Sequence, residues 1–443
     1  MNFSKPSRRV LLAVLFLLSA HDSASAQQPQ QKISKYEKDQ VMTMLATISG
    51  DVKKHYYDPK LHGVDWDANV KNFRERIANA ASLNRGLSEV AAALDVLNDS
   101  HTFFVPPPRS YKHDYGWQIA IIQEKCFVVG VRPQSDAEKK GVKAGDEVLA
   151  INGFAPRRDN LWKMNFVFNV LRPQPALRVS LLSPDGQQKD VEVVAAMRQL
   201  QRVRDLTGGG IWDYIREIES QEESDRMRYL ETEDDVMVLK FPGFAFTESE
   251  VDDVMKRARR HKALIMDLRG NPGGVVLTLK EFLGNLFDRD VKVCDRVTRD
   301  DSKPQIAKSR GKNAFTGKLV VLVDSRSASA SEILARVVQI EKRGTVVGDR
   351  SAGAVMESRH YPYSIGLDTI VPYGASITDA DLIMTDGKSL EKVGVMPDEL
   401  LVPSAVDLAS RRDPVLAHAV ELVGGKMTPA GAGMLFPFEW PKQ

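Results

Sequence analysis

Apolar residues in the first hundred positions recur at helical spacing. Val41, Leu45, Ile48 and Val52 share one face, and the pattern continues through Trp66 to Ala80 and Leu87 to Leu97. These runs predict a small helical bundle over residues 32–105, followed by the breaker Pro106-Pro107-Pro108. After Tyr115 the texture changes to short strands. Gln118 to Ile122, Cys126 to Val131, Glu147 to Asn152 and Ala176 to Leu182 read as strands, and Asn160 to Leu171 as a helix. From Val236 strands and helices alternate. Strands are expected at Val236 to Phe241, Ala263 to Met266, Val291 to Val297, Leu319 to Val323 and Thr345 to Val347. Helices are expected from Thr247 to about His261, from Val275 to Phe287 and from Ile333 to Gln339. Such alternation predicts an α/β unit with a largely parallel sheet.

Two segments fit neither pattern. Arg202 to Arg228 is highly charged, with Ile211, Ile215 and Ile218 on one helical face after the turn Thr207-Gly208-Gly209-Gly210. That turn lacks the Lys-Ser/Thr of a phosphate loop and reads as a plain turn or the hinge of a lid. From Gly424 the chain is rich in Gly and Pro, which predicts a poorly ordered tail over 424–443.

At 443 residues the chain is long enough for about three domains. Residues 1–26 have the form of a secretory signal: Lys5, Arg8 and Arg9, an apolar run from Val10 to Ala20, and Ala24-Ser25-Ala26 at the cleavage position. The run is too short to span a bilayer. Ser7-Arg8-Arg9-Val10-Leu11 also bears a faint likeness to a twin-arginine signal. The expected location is outside the cytoplasm, periplasmic or secreted, with Gln27 to Gln31 as a flexible leader. Cleavage after Ala26 removes Lys5, Arg8, Arg9 and Asp22, which turns 61 basic and 59 acidic residues into 58 of each. A neutral chain argues against nucleic acid or an anionic membrane as partner, and no other segment is apolar enough to be an integral membrane span. Cys126 and Cys294 permit one disulfide by parity, but two buried thiols fit the spacing as well. No Cys/His cluster has metal-ligand spacing, so neither a metal nor an organic cofactor is expected.

Chemistry concentrates at two strand-to-helix turns. Ser327-Ala328-Ser329-Ala330-Ser331-Glu332 sets a serine at a helix N-terminus, where unpaired N–H groups and the helix dipole favour developing negative charge. Acyl transfer needs a nucleophile beside such a site. Ser329-x-x-Glu332 is also a capping box, which needs no chemistry at all. Asp267-Leu268-Arg269-Gly270-Asn271-Pro272-Gly273-Gly274 is a second such turn, whose glycines let backbone N–H groups approach a ligand. Both are placed to meet at the C-terminal ends of the strands, where ligands bind in open α/β sheets.

These two phrases resemble the carboxy-terminal processing (tail-specific) serine protease family, and the resemblance covers nearly the whole mature chain. It implies a multidomain α/β protein: the helical bundle, a PDZ domain at 115–198 and a crotonase/ClpP-like α/β catalytic domain at 199–423. Lys140-Gly141 through Gly145-Asp146 to Asn152-Gly153 is similar to the PDZ turn and strand. PDZ modules capture extended peptides by strand addition and hold the terminal carboxylate in a backbone nest. By resemblance the nest is Tyr115-Gly116-Trp117-Gln118, unless the module is only a gate or spacer. The nucleophile is then Ser329, with Ala330 and one of Gly273 and Gly274 as oxyanion donors. The family's lysine base is missing: the matching phrase reads Arg350-Ser351-Ala352-Gly353-Ala354-Val355, with Ala354 in the lysine position. Either the chain is inactive or another base serves. Ser100-His101 and Glu391, in Glu391-Lys392-Val393-Gly394-Val395-Met396-Pro397-Asp398, resemble the tricorn-like branch, in which a histidine is the base. The expected function is a serine endopeptidase acting on protein or peptide substrates with accessible C-termini. The alternatives are a non-catalytic PDZ-bearing pseudoprotease that binds peptides, or an enzyme acting on a non-peptide acyl group. The oligomeric state stays open.

Overall fold

The computed structural model describes residues 32–199, 226–366, 370–438 and 440. The expected signal segment, the Gln27 to Gln31 leader and the 207–210 turn with its isoleucine face lie outside them.

Three helices form near the N-terminus: Lys35–His55, Trp66–Ala78 and Leu83–Asp95. Ser34 and Glu37 close a capping box on the first, and Asp65 and Ser82 cap the other two. The expected apolar face is buried throughout: Val41, Leu45, Ile48 and Val52 are at most 1% exposed. The helices do not close on one another as a separate bundle. They share one core with Tyr373, Ala375 and Ile377 of a distant strand, because three amphipathic helices leave one apolar face uncovered. The expected boundary at residue 105 therefore runs through a sheet. Strand β1 (Phe103–Val105) pairs antiparallel with that strand, Phe103 opposite Ser376.

After β1 come β2 (Tyr111–Asp114), β3 (Trp117–Ile122), β4 (Lys125–Val131), β5 (Glu147–Ile151), β6 (Ala176–Leu182), β7 (Gln188–Val194) and β8 (Ala196–Gln199). Strands β3 to β7 form an antiparallel sheet in sequence order, with β3 at one end, and β2 pairs with β8. The expected 160–171 helix begins as Leu161–Phe166 and continues as a π-helical turn over Val167–Leu171.

The remaining strands are β9 (Arg228–Glu231), β10 (Val236–Lys240), β11 (Ala263–Asp267), β12 (Val291–Thr298), β13 (Ser302–Ala307), β14 (Lys318–Val323), β15 (Thr345–Gly348), β16 (Met356–Ile365), β17 (Val371–Met384) and β18 (Glu399–Leu400). A six-stranded sheet has the order β18-β15-β14-β11-β10-β9, parallel except for β9 at its edge. Its strands are buried on both sides. Met237, Leu239, Leu264, Met266 and Val321 face the Val276–Leu286 and Ala330–Ile340 helices. Val236, Val238, Ile265, Val320 and Leu322 face the Pro414–Leu422 helix. Two buried faces explain the unbroken apolar runs in these strands.

Several expectations are corrected. The Val291 to Val297 strand does not join the parallel sheet; β12 pairs with β13 and β17 in a second, antiparallel sheet. Arg228, expected at the end of a helix, opens β9. The tail is ordered through Phe438: Thr428 caps a short helix, Pro429–Gly433, and Ala432, Leu435 and Phe436 complete the core under β10 and β14. Pro429 opens that helix, and Gly431 and Gly433 lie within it. Cys126 and Cys294 are both free and buried in different cores, so they form no disulfide.

Candidate active site

Strands β11 and β14 are parallel neighbours, Asp267 opposite Leu322, so the loops that follow them emerge side by side. The first loop is braced from beneath by ion pairs. Arg269 bridges Asp267 and Asp413, and Lys240 contacts Asp267 and the Arg269 carbonyl. Burial pushes the Asp267 carboxyl up, but the Arg269 and Lys240 charges overcome it and hold it well below the usual range. The two loops are then joined through Asn271, whose carbonyl accepts from Ala328 N–H at 3.0 Å and from the Ser331 hydroxyl at 2.9 Å.

Ser329 has φ 52° and ψ −117°, a conformation costly for a residue with a Cβ. Its N–H lies 2.9 Å from the Ala354 carbonyl and 3.0 Å from Glu332 Oε2. Gly273 packs directly on it: a Cβ built at Gly273 would lie 2.7 Å from Ser329 Cβ and 2.9 Å from Ala330 N. Of the two expected oxyanion glycines, buried Gly273 already donates its N–H to Asn271 Oδ1 at 2.9 Å, whereas Gly274 is exposed.

Glu332 belongs to this site, although its sequence position suggested only a cap. It is fully buried and accepts from Ser351 Oγ, Gly353 N–H (2.7 Å) and Ala354 N–H (2.9 Å) as well as Ser329 N–H. Burial raises its carboxyl to about 7, against those hydrogen bonds. One carboxylate thus clamps the 351–354 loop onto the Ser329 turn. Glu332→Gln points an amide donor at a cluster of donors and leaves at least one N–H unsatisfied, a cost of about 1–3 kcal/mol. The expected result is kcat lower by roughly 10- to 100-fold with KM changed less than threefold, read from steady-state kinetics; an unchanged kcat rejects the clamp.

The same loop reaches the other expected residues. Ala354 C=O accepts from Ser329, and the next N–H, of Val355, donates to Glu391 Oε2 at 2.9 Å. Glu391 also takes both Ser100 N–H and Ser100 Oγ, each at 2.8 Å, and Ser100 Oγ lies 2.7 Å from His101 Nδ1. Because Ser100 gives its proton to the carboxylate, it accepts one from Nδ1–H. Nε2 is left with the lone pair, the tautomer a general base needs. Asp99, which sequence reasoning passed over, fixes this arrangement. It accepts from His101 N–H (2.9 Å), Thr102 N–H (2.7 Å), Tyr56 OH (2.8 Å) and Thr378 Oγ1 (2.7 Å), which ties residues 99–102 to β17.

Burial lowers His101 to about 4; the Asp99 charge opposes this and the Lys392 charge adds to it. His360 is likewise lowered to about 4, by burial and by His101 nearby. Burial raises Glu391, opposed by Lys392 and by its hydrogen bonds. His101 is therefore neutral at pH 7. Lys392 is exposed, with Nζ 3.7 Å from Glu391 Oε1. Lys392→Met removes a cation that disfavours the imidazolium, so the His101 pKa rises. The acid limb of kcat/KM is expected to move up by a few tenths of a pH unit, and a shift to lower pH contradicts the assignment.

The remaining expected residues, Tyr115 to Gln118, lie in the β3–β7 unit. Tyr115 is buried, with its hydroxyl donating to the Gln174 carbonyl at 2.7 Å. Gly116 has φ 69°, and its N–H is bonded to Asp114 Oδ1. Trp117 and Gln118 pair with Val131 and Gly130 of β4. This unit docks beside the Ser329 loop. Arg158 bonds Asp349, the Arg350 carbonyl and the Gln123 carbonyl, and Ser325 Oγ donates to the Ile121 carbonyl.

A serine on a strained strand-to-helix turn, packed on a glycine loop and linked through the Ala354–Val355 peptide to a part-buried Glu-Ser-His chain, has the parts of a serine-hydrolase type of site on a mixed α/β fold. Residues 235–401 match peptidase family S41, and residues 38–88 match the tricorn protease C1 domain. Residues 235–401 thus carry a peptidase family S41 domain, and the relatives this chain resembles are named carboxyl-terminal-processing or tail-specific proteases. The chain is 26% identical over 397 residues to a putative tricorn protease homolog 2 of Streptomyces coelicolor, covering 84% of this chain and 31% of that protein. It is 26% identical over 337 residues to the chloroplastic carboxyl-terminal-processing peptidase 1 of Arabidopsis thaliana, covering 71% and 62%. The chain thus spans less than two thirds of the length of these relatives. Mature CPAF has a similar fold, with TM-score 0.64 and 15% identity over 85% of this chain and 95% of that one. The photosystem II D1 C-terminal processing protease also matches, with TM-score 0.50 and 19% identity over 84% and 94%.

Proposed function

We propose that this chain is an exported serine endopeptidase that cuts unstructured or C-terminal segments of proteins. The β3–β7 unit is read as a PDZ module that recruits them, and the domain around the parallel sheet as a crotonase/ClpP-like catalytic domain. The observation that carries the reading is the Ala354–Val355 peptide unit, which holds Ser329 on one side and the Glu391-Ser100-His101 chain on the other. Ser329 Oγ attacks the peptide carbonyl as His101 Nε2 takes its proton. Ser100 and Glu391 support the imidazolium that forms. The oxyanion is received by the N–H groups of Ala330 and Gly274, since that of Gly273 is engaged by Asn271. His101 returns the proton to the leaving amine, and water repeats the sequence to release the acyl group.

The reading is tested by incubating the purified mature chain with an unfolded protein substrate beside its Ser329→Ala variant. Cleavage by the wild type alone supports it. Ala354, at the lysine position, favours a second reading as a peptide-binding protein without hydrolysis. A wild type as silent as Ser329→Ala, yet still binding peptide, moves that reading ahead.

A further inference from the structure

The loop expected to receive a substrate's terminal carboxylate already holds a carboxylate. Gly116 adopts φ 69° in the turn before β3, and a Cβ there would fall 2.3 Å from that of Ser135, so the turn is built for glycine. Its N–H donates to Asp114 Oδ1 at 2.9 Å. The other oxygen of Asp114 lies 2.8 Å from Arg132 Nη1, and both side chains are under a tenth exposed. Arg132 is fixed in turn: its N–H donates to the Gly116 carbonyl at 2.8 Å, and its guanidinium lies 4.9 Å from the ring centre of Trp440. The tail that carries Trp440 is held by Arg228 on the Pro437 carbonyl.

A backbone nest captures a chain end through its N–H donors and a nearby cation. Here Asp114 engages both the Gly116 N–H and the Arg132 charge. A second carboxylate in the same place would meet like charge in a poorly solvated site. Strand β3 is the end strand of its sheet, with Gln118 to Ile121 buried, and its Ile121 carbonyl accepts from Ser325 on the loop that leads to Ser329.

We propose that Asp114 is a built-in occupant of the nest, and that the module takes internal extended segments along β3 with no requirement for a free chain end. This rests on the reading of the unit as a substrate-recruiting PDZ module. Its consequence for the proposed peptidase is a substrate class of internal unstructured segments.

The test uses one unstructured peptide prepared as the free acid and as the C-terminal amide. Binding of both is measured on the full chain carrying Ser329→Ala, so that chemistry cannot interfere. With Asp114 in place, the acid and the amide are expected to differ by less than about twofold. Adding Asp114→Ala vacates the nest, and the acid is then preferred by about tenfold, or about 1.4 kcal/mol. If circular dichroism shows that Asp114→Ala is unfolded, Asp114→Asn replaces it. That variant keeps an acceptor for Gly116 but removes the charge facing Arg132, and a preference for the acid of about threefold is expected. A tenfold preference for the acid with Asp114 present overturns the proposal, as does the lack of any acid preference in a folded Asp114 variant. Turnover is read separately on the wild type. Failure to cleave either peptide counts against the peptidase reading, while the binding comparison still decides the role of Asp114.

Discussion

Ser329→Ala leaves a folded protein whose cleavage of an unfolded substrate falls by a factor on the order of 10⁴ or more. The fold survives because every bond that holds the turn is made by the backbone or by neighbours. The Ser329 N–H keeps Ala354 and Glu332, and Asn271 keeps Ala328 and Ser331. Alanine carries the same Cβ at φ 52°, so the local strain is unchanged. His101→Ala is expected to cost a similar factor, and the double variant little more, because the two act as one unit. Lys388 is the control: it is exposed and sits near Glu391 in sequence without belonging to the hydrogen-bonded chain. Lys388→Ala should stay within about twofold of wild type, as expected for a surface change away from the site. Residual cleavage by a clean Ser329→Ala preparation ends the nucleophile assignment; full activity in His101→Ala ends that of the base.

Gly273→Ala is the second large effect, and it acts through space rather than through a lost functional group. The added methyl would sit 2.7 Å from Ser329 Cβ, 2.8 Å from the Ala328 carbonyl and 2.9 Å from Ala330 N, at φ 100°. None of these is the end of a flexible side chain. The two loops must part, which moves Ser329 and Ala330 away from Gly274, the other proposed oxyanion donor. We expect kcat to fall by roughly 10²–10³, the range for losing an oxyanion donor, together with about 1–3 kcal/mol of stability from backbone strain. Gly270→Ala is the comparison. Its φ of 80° brings similar strain, but its nearest neighbour is the guanidinium at the end of the long Arg326 side chain, at 3.3 Å. It should lose stability with far less effect on kcat. Equal kcat losses in the two variants would show that strain, and not the Gly273–Ser329 contact, controls the rate.

How legible each part was depended on how local its cause is. Strands β10, β11, β14 and β15 stood out because each is buried on both faces and reads as one apolar run. Strands β16 and β17 did not, although β17 is the longest strand described. β16 is mostly half-exposed, and β17 lies partly under the N-terminal helices, so neither shows clean alternation. The ordered tail was misread because its Gly and Pro signalled breakage, whereas Gly433 turns tightly on the Arg411 backbone.

The sequence by itself determined most of the helices, strands β10, β11, β14 and β15, and the two glycine- and serine-bearing turns, because these follow from spacing within a few residues. It also marked Ser100, His101 and Glu391 by resemblance. Only the tertiary structure decided that the 351–355 loop joins them to Ser329, that Glu332 clamps that loop, that Asp99 ties the histidine segment to β17, and that Asp114 bonds Gly116 and Arg132. These contacts bring together groups up to hundreds of residues apart. Each depends on where whole strands and loops pack, which no local pattern of apolar and polar positions encodes.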